Sequence, residues 1–131
     1  MSEHTIFLIG GEKDETCTVT AEPINGLCQI KLHYRGKTIE SSATDYFDAF
    51  SRIRLLLESE NLIPFCYGAS LNVFPSAMAR QMGAGLSGYR CALGRAATRE
   101  DIVPIFDSGP DVIPASVANQ TKYHNDWAES L

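Results

Sequence analysis

Cys28-Gln29-Ile30-Lys31-Leu32-His33-Tyr34-Arg35 alternates between apolar and polar side chains without a break. Successive side chains of a strand point to opposite faces, so Cys28, Ile30, Leu32 and Tyr34 share one face and Gln29, Lys31, His33 and Arg35 the other. Upstream, Cys17, Val19 and Ala21 alternate with Thr16, Thr18 and Thr20, a run rich in β-branched residues. Asn25-Gly26 between the two runs is a two-residue hairpin signal. That register sets Cys17 opposite Tyr34, and a wider loop over Pro23–Gly26 still keeps Cys17 away from Cys28. Gly36 permits a second tight turn into Lys37–Ser41, and Thr5–Ile9 reads as a short buried strand. Together these runs predict an antiparallel meander with one face toward water.

The period changes at residue 42. Ser42-x-x-Asp45 resembles a capping box, and Thr44 is an equally good helix cap. Tyr46, Phe50, Ile53 and Leu57 then recur at spacings of three and four, flanked by Phe47, Ala49 and Leu56. This predicts an amphipathic helix over about 45–60, packed on the dry face of the meander. After Pro64, Phe65–Phe74 reads as a strand interrupted by Gly68. Pro75 suits the first position of a short helix that Gly83 stops. Tyr89–Leu93 and Ile102–Phe106 read as strands, with Pro104 confining the second to an edge. Ser116 caps a short C-terminal helix in which Tyr123, Trp127 and Leu131 share a stripe. The fold expected is α+β, one globular domain over residues 1–131.

The 131 residues carry 11 basic and 16 acidic side chains, a formal net charge of −5. That balance argues against a general nucleic-acid coat, which carries a basic excess. No apolar stretch is long enough for a secretory signal or a membrane span, and a cytoplasmic protein is expected. Cys17, Cys28, Cys66 and Cys91 form no CxxC, so four reduced thiols acting as small core hydrophobes are expected rather than a metal site.

The acids are unevenly placed. Residues 61–99 contain Arg80, Arg90, Arg95 and Arg99 and no carboxylate, while both flanks are acidic. Within this segment, Asn72-Val73-Phe74-Pro75-Ser76-Ala77-Met78-Ala79-Arg80-Gln81-Met82-Gly83-Ala84-Gly85 is the densest stretch. One reading is an anion site: a helix start with Ser76 as donor and Arg80 and Arg90 as clamps. The plainer reading has Gly83 as a helix stop, Met78 and Met82 in the core, and the arginines paired with acids elsewhere. The glycines follow the helix, so neither a P-loop nor a dinucleotide fingerprint is present and no cofactor is expected. Ser76 lacks the flanking glycines of a nucleophile elbow. His33, beside Lys31 and Arg35, and His124, beside Asp126, form a formal acid–base pair; a solvated strand face explains His33 more simply. Tyr123 and Trp127 either fasten the last helix or anchor a partner.

The pattern Asn72-Val73-x-Pro75-Ser76-x-Met78-x-Arg80-x-Met82-Gly83-x-Gly85 resembles one found in small bacterial proteins without an assigned activity. As a type (small, acidic, α+β, lacking a catalytic constellation), the chain also resembles the immunity proteins of contact-dependent growth inhibition systems. That second resemblance implies a cytoplasmic antitoxin that neutralises a cationic toxin, such as a nuclease, by direct binding. Its expected partner is a basic, co-encoded toxin domain. From the acidic flanks, the expected contacts are Asp107, Asp111, Asp126 and Glu129, with Trp127 as anchor. The alternative is an anion-binding enzyme or ligand sensor built on residues 61–99 with Ser76, Arg80 and Arg90.

Overall fold

The computed structural model describes all residues, 1–131. Five strands form a curled antiparallel sheet: β1 (Ser2–Ile9), β2 (Glu15–Ile24), β3 (Leu27–Tyr34), β4 (Lys37–Ala43) and the short β5 (Ile63–Pro64). Their order is β4-β3-β2-β1-β5. Both hairpin turns are made by two residues at positive φ: Asn25 (53°) with Gly26 (80°), and Arg35 (51°) with Gly36 (74°). Such turns match the twist of the flanking strands. The first pairs Ile24 with Leu27 and Thr18 with His33, the register expected from the sequence. All four cysteines are free thiols.

The alternation segregates cleanly. Cross-strand neighbours Ile6 and Cys17, Val19 and Leu32, and Ala21 and Ile30 are buried on the inner face. Helix α1 (Tyr46–Glu58) covers that face with Tyr46, Phe47, Ala49, Phe50, Ile53 and Leu57. Two details of the sequence reading change. Leu56 is exposed, and β1 is buried on one face only, with Thr5 and Phe7 turned to solvent.

The cap of α1 is Asp45, not Ser42 or Thr44. Its Oδ1 accepts from the Asp48 backbone N–H at 2.7 Å. Strand β4 runs on to Ala43, so Ser42 is still extended and Asp45 is the last side chain able to reach the free helix N–H groups.

The second half differs more from expectation. Phe65–Phe74 is not one strand: a 3-10 turn over Tyr67–Ala69 separates β5 from the two-residue β6 (Val73–Phe74). Gly68 lies against Ile105 and Phe50, where a side chain would collide. β6 joins β7 (Ser87–Arg90) and β8 (Ile102–Pro104) in a second antiparallel sheet, with β8 and its proline at the edge. Strand β7 ends at Arg90, before Leu93. Pro75 precedes the cap of α2 (Ala77–Met82), and Ser76 is the cap. Met78 and Met82 are exposed, not core: no residue of the six-residue helix is buried, and it reaches α1 through Arg80.

Contact between α2 and α1 explains the dense Asn72–Gly85 stretch. Arg80 pairs with Asp45 at 3.1 Å, and its guanidinium lies over the Phe47 and Phe74 rings. The Tyr46 N–H donates to Ala84 O at 2.8 Å. Gly85, at φ 73°, backs onto Asp45 and Phe47 so closely that a Cβ would meet the Asp45 carboxylate. The stretch thus clamps the second half of the chain to the start of α1, and Asp45 is the anion that Arg80 holds.

The last helix, α3 (Val117–Glu129), is capped by Ser116 as expected, but Leu131 lies beyond it and is exposed. Its one fully buried side chain is polar. The Gln120 amide donates toward Gly68 O, Ser70 O and Val73 O and accepts from Arg54 Nη1 at 2.7 Å. Arg54 also donates to Gly68 O and Ala115 O. Burial lowers the Arg54 pKa to about 10, so the guanidinium remains charged at neutral pH without a paired carboxylate.

Asp45→Ala removes a cap and the partner of Arg80, and should destabilise the fold by about 1–2 kcal/mol. Asp45→Asn keeps an acceptor for the cap and should lose less. Urea denaturation of the two variants checks this order.

Candidate binding cleft

Four elements of the second half enclose a cleft of about 480 Å³. Phe74, Pro75 and Ser76 enter from the β6–α2 junction, Tyr89 and Cys91 from β7 and the residue beyond its end, Ala96–Arg99 from the loop before β8, and His124 and Trp127 from α3. Its size falls within the range of small-ligand sites, about 300–1,000 Å³.

The walls are aromatic for a traceable reason. Phe47 in the core meets Phe74 edge-on at 5.1 Å between centroids. Phe74 stacks on His124 at 4.0 Å and 11°, and His124 faces Trp127 at 5.7 Å. A ladder of rings therefore runs from the core to the cleft wall. Hydrogen bonds from α3 hold it in place: Trp127 Nε1 donates to Arg95 O at 2.8 Å, and the Tyr123 hydroxyl to Cys91 O at 3.0 Å. The Ser130 hydroxyl accepts from the Gly94 N–H at 2.7 Å. Both aromatics thus fasten the last helix, while the Trp127 ring also lines the cleft.

The opposite wall is equally fixed. Thr98 and Asp101 form a reciprocal capping box, and Arg95 pairs with Asp101 at 3.1 Å. The Asp101 carboxyl is held below its usual range, first by the Thr98 backbone N–H and also by the Arg95 charge.

Burial pushes the Cys91 thiol up to about 11, and Cys17 and Cys66 in the core up to about 12, so these three are protonated at neutral pH. Burial, reinforced by the nearby Arg80 charge, lowers the His124 pKa. Its Nδ1 is buried without a hydrogen-bond partner.

The residues singled out from the sequence separate into different places. Ser76 Oγ accepts from the Ala79 N–H at 3.0 Å, an ordinary capping bond, and its side chain lines the cleft. Arg80 is spent on Asp45. Arg90 reaches Asp111 at 2.9 Å and Glu100 O at 3.1 Å, away from Ser76 and Arg80. Asp111 also accepts from the Tyr67 hydroxyl at 2.6 Å, and both contacts hold its carboxyl below the usual range. Asp126 is bound to Lys122 at 2.7 Å within α3. Asp107 and Glu129 are exposed and make no ion pair.

The histidines are apart. His33 bonds Thr38 at 2.7 Å on the outer sheet face, whereas His124 is in the cleft wall. Arg35, beside His33 in sequence, is held by Glu15 through Nε at 2.8 Å and Nη2 at 2.9 Å.

Two residues carry more than the sequence reading gave them. His124 is a stacked wall of the cleft rather than half of an acid–base pair. Arg99 is the one arginine of residues 61–99 without an ion pair, and it lines the cleft. The acid-free segment pointed to it, but only the pairing of its three companions distinguishes it. No protein-family profile matches the chain, and no curated protein matches it.

The folded site disfavours the protonated form of His124. The unfolded chain takes up that proton near pH 6.5, while the folded chain resists until a lower pH. Stability should therefore fall as the pH drops below about 6.5 and level off, for this group, once the folded site itself protonates. His124→Phe should flatten that slope between about pH 7.5 and 5.5, read from urea midpoints at each pH.

Proposed function

We propose that the chain is a binding protein that neutralises a basic protein partner, as an immunity protein does for a cationic toxin. One observation carries the reading. Seven of the 16 acids pair internally with seven of the 11 bases, leaving nine acids against four bases. One of those four bases is the buried Arg54. Glu58 is held by the Val117 N–H, and the other eight acids of the surplus make no ion pair or side-chain hydrogen bond within the fold.

Part of the surplus sits on the outer face of the first sheet, which no helix covers. Glu3, Thr20, Lys31 and Glu40 form one cross-strand row, and Glu22, Gln29 and Ser42 the next. Glu3, Glu22 and Glu40 have no ion-pair partner, and Lys31 is the one base among them. Strand pairing fixes the backbone that carries these carboxylates, so a basic surface can meet them without loop ordering. Asp107 and Glu129 remain available from the original set, whereas Asp111 and Asp126 are engaged within the chain. Acidic complementarity of this kind accelerates association with a basic partner and weakens as salt screens it.

The test is association with the basic product of the neighbouring gene, followed by stopped-flow at low and high salt. The expected result is sub-micromolar binding whose association rate falls with salt. Combined Glu3→Lys, Glu22→Lys and Glu40→Lys substitution should lower that rate by about tenfold or more. Absence of binding at micromolar concentration in low salt, or binding indifferent to both salt and charge reversal, contradicts the proposal.

A further inference from the structure

We infer that the cleft between α3 and the second sheet binds a small planar aromatic anion, with the ring among Phe74, Tyr89, His124 and Trp127 and the anionic group at Arg99. This goes beyond the proposed protein partner: none of these residues belongs to the outer face of the first sheet.

Four arginines lie in the acid-free segment. Asp45 holds Arg80, Asp111 holds Arg90 and Asp101 holds Arg95. Arg99 has neither an ion pair nor a side-chain hydrogen bond within the protein. It is also the one formally charged side chain lining the cleft, where no carboxylate is present. The adjacent Glu100 side chain is exposed and is not part of the lining. The lining thus carries one positive charge and no negative one, and the guanidinium retains all of its donors for a ligand.

The walls supply the second half of the specificity. Four rings line the cleft, and Pro75, Cys91, Ala96, Ala97 and Ile102 supply apolar contact elsewhere. Phe74 and His124 cover each other within the ladder, and Arg80 lies over Phe74, which leaves Tyr89 and Trp127 as the rings to stack on a ligand. With its pKa lowered, His124 is neutral above its ordinary titration range, so it backs the Trp127 ring without bringing a second cation to the cleft. The Ser76 hydroxyl accepts the Ala79 N–H and keeps its own proton to donate toward the cleft. A ring with one anionic substituent satisfies these surfaces together. A neutral ring leaves Arg99 without its partner, and a small inorganic anion leaves the aromatic walls in water.

The site is built before any ligand arrives. Trp127 and Tyr123 tie α3 to the loop after β7, and the Thr98–Asp101 box fixes the opposite wall. A preformed cleft avoids the ordering cost that a flexible one would carry.

The experiment uses the single tryptophan of the chain, Trp127, as a reporter in the cleft wall. Anilinonaphthalene sulfonate is the anionic probe, N-phenylnaphthylamine its uncharged counterpart, and inorganic phosphate the control for charge alone. The expected result is saturable quenching of Trp127 by the sulfonate, with clearly weaker quenching by the amine and none by millimolar phosphate. Arg99→Ala should weaken sulfonate binding by about tenfold while leaving the amine unchanged. Arg99 is exposed and without internal side-chain contacts, so this variant should fold normally, as circular dichroism would verify. Equal affinity for the two probes, or sulfonate affinity unaltered in Arg99→Ala, overturns the inference. Ala97→Phe, which narrows the cleft, should reduce binding of both probes. Retention of full sulfonate binding in that variant also overturns it, by placing the probe elsewhere.

Discussion

The guanidinium of Arg54 and the amide of Gln120 form a buried polar junction on which the second half of the molecule depends. Arg54 is the largest fully buried side chain, and it comes from the helix that covers the main sheet. Its donors reach Gly68 O, Ala115 O and Gln120 Oε1. Gln120 returns donors to Gly68 O, Ser70 O and Val73 O. The segment 67–74 is built of short pieces, a 3-10 turn and the two-residue β6, and side chains complete the pairing of its carbonyls at Gly68, Ser70 and Val73. Gly68 O is shared by both side chains and Ser70 O also accepts the Val73 N–H, so removing Gln120 costs most at Val73 O, and a buried acceptor left unpaired costs about 1–3 kcal/mol.

The same junction explains why α3 stays in place with so little apolar burial. Only Gln120 of that helix is fully buried, and Glu58 at the end of α1 accepts the Val117 N–H at 2.9 Å. The helix is positioned by hydrogen bonds at its start and middle, and by Tyr123, Trp127 and Ser130 toward its end. This arrangement frees one side of the Trp127 ring to form a cleft wall. A helix held by an apolar stripe at that position would have buried the ring and closed the space.

What the sequence disclosed followed periodicity. The meander, both hairpin turns, the apolar face of α1 and the Ser116 cap were legible because alternation, turn residues and helical spacing act locally. The region after Pro64 was not, since its short strands are set by contacts distant in sequence. Gly68 is required by packing against Ile105, and Gly85 by the approach of Asp45. The Asn72–Gly85 motif was visible as unusual, yet its meaning needed Asp45, from a different part of the chain. The charge asymmetry was also visible, and it marked the correct segment for an unpaired cation. Which arginine stays unpaired depends on tertiary ion pairs, and no spacing rule reveals it. Arg54 and Gln120 gave no signal, because a polar residue within a helical pattern reads as solvent-facing unless its partners are known.

The central claim, that one buried polar junction couples the last helix to the irregular segment beneath it, is most directly tested by hydrogen exchange on Gln120→Leu. The substitution puts an apolar side chain of similar reach in place of the amide, removing both its donors and the oxygen that accepts from Arg54. Amides of residues 67–74 and of α3 should exchange faster together, by a common factor, while those of β2 and β3 keep their protection. Acceleration confined to α3, or unchanged exchange in both segments, would contradict it.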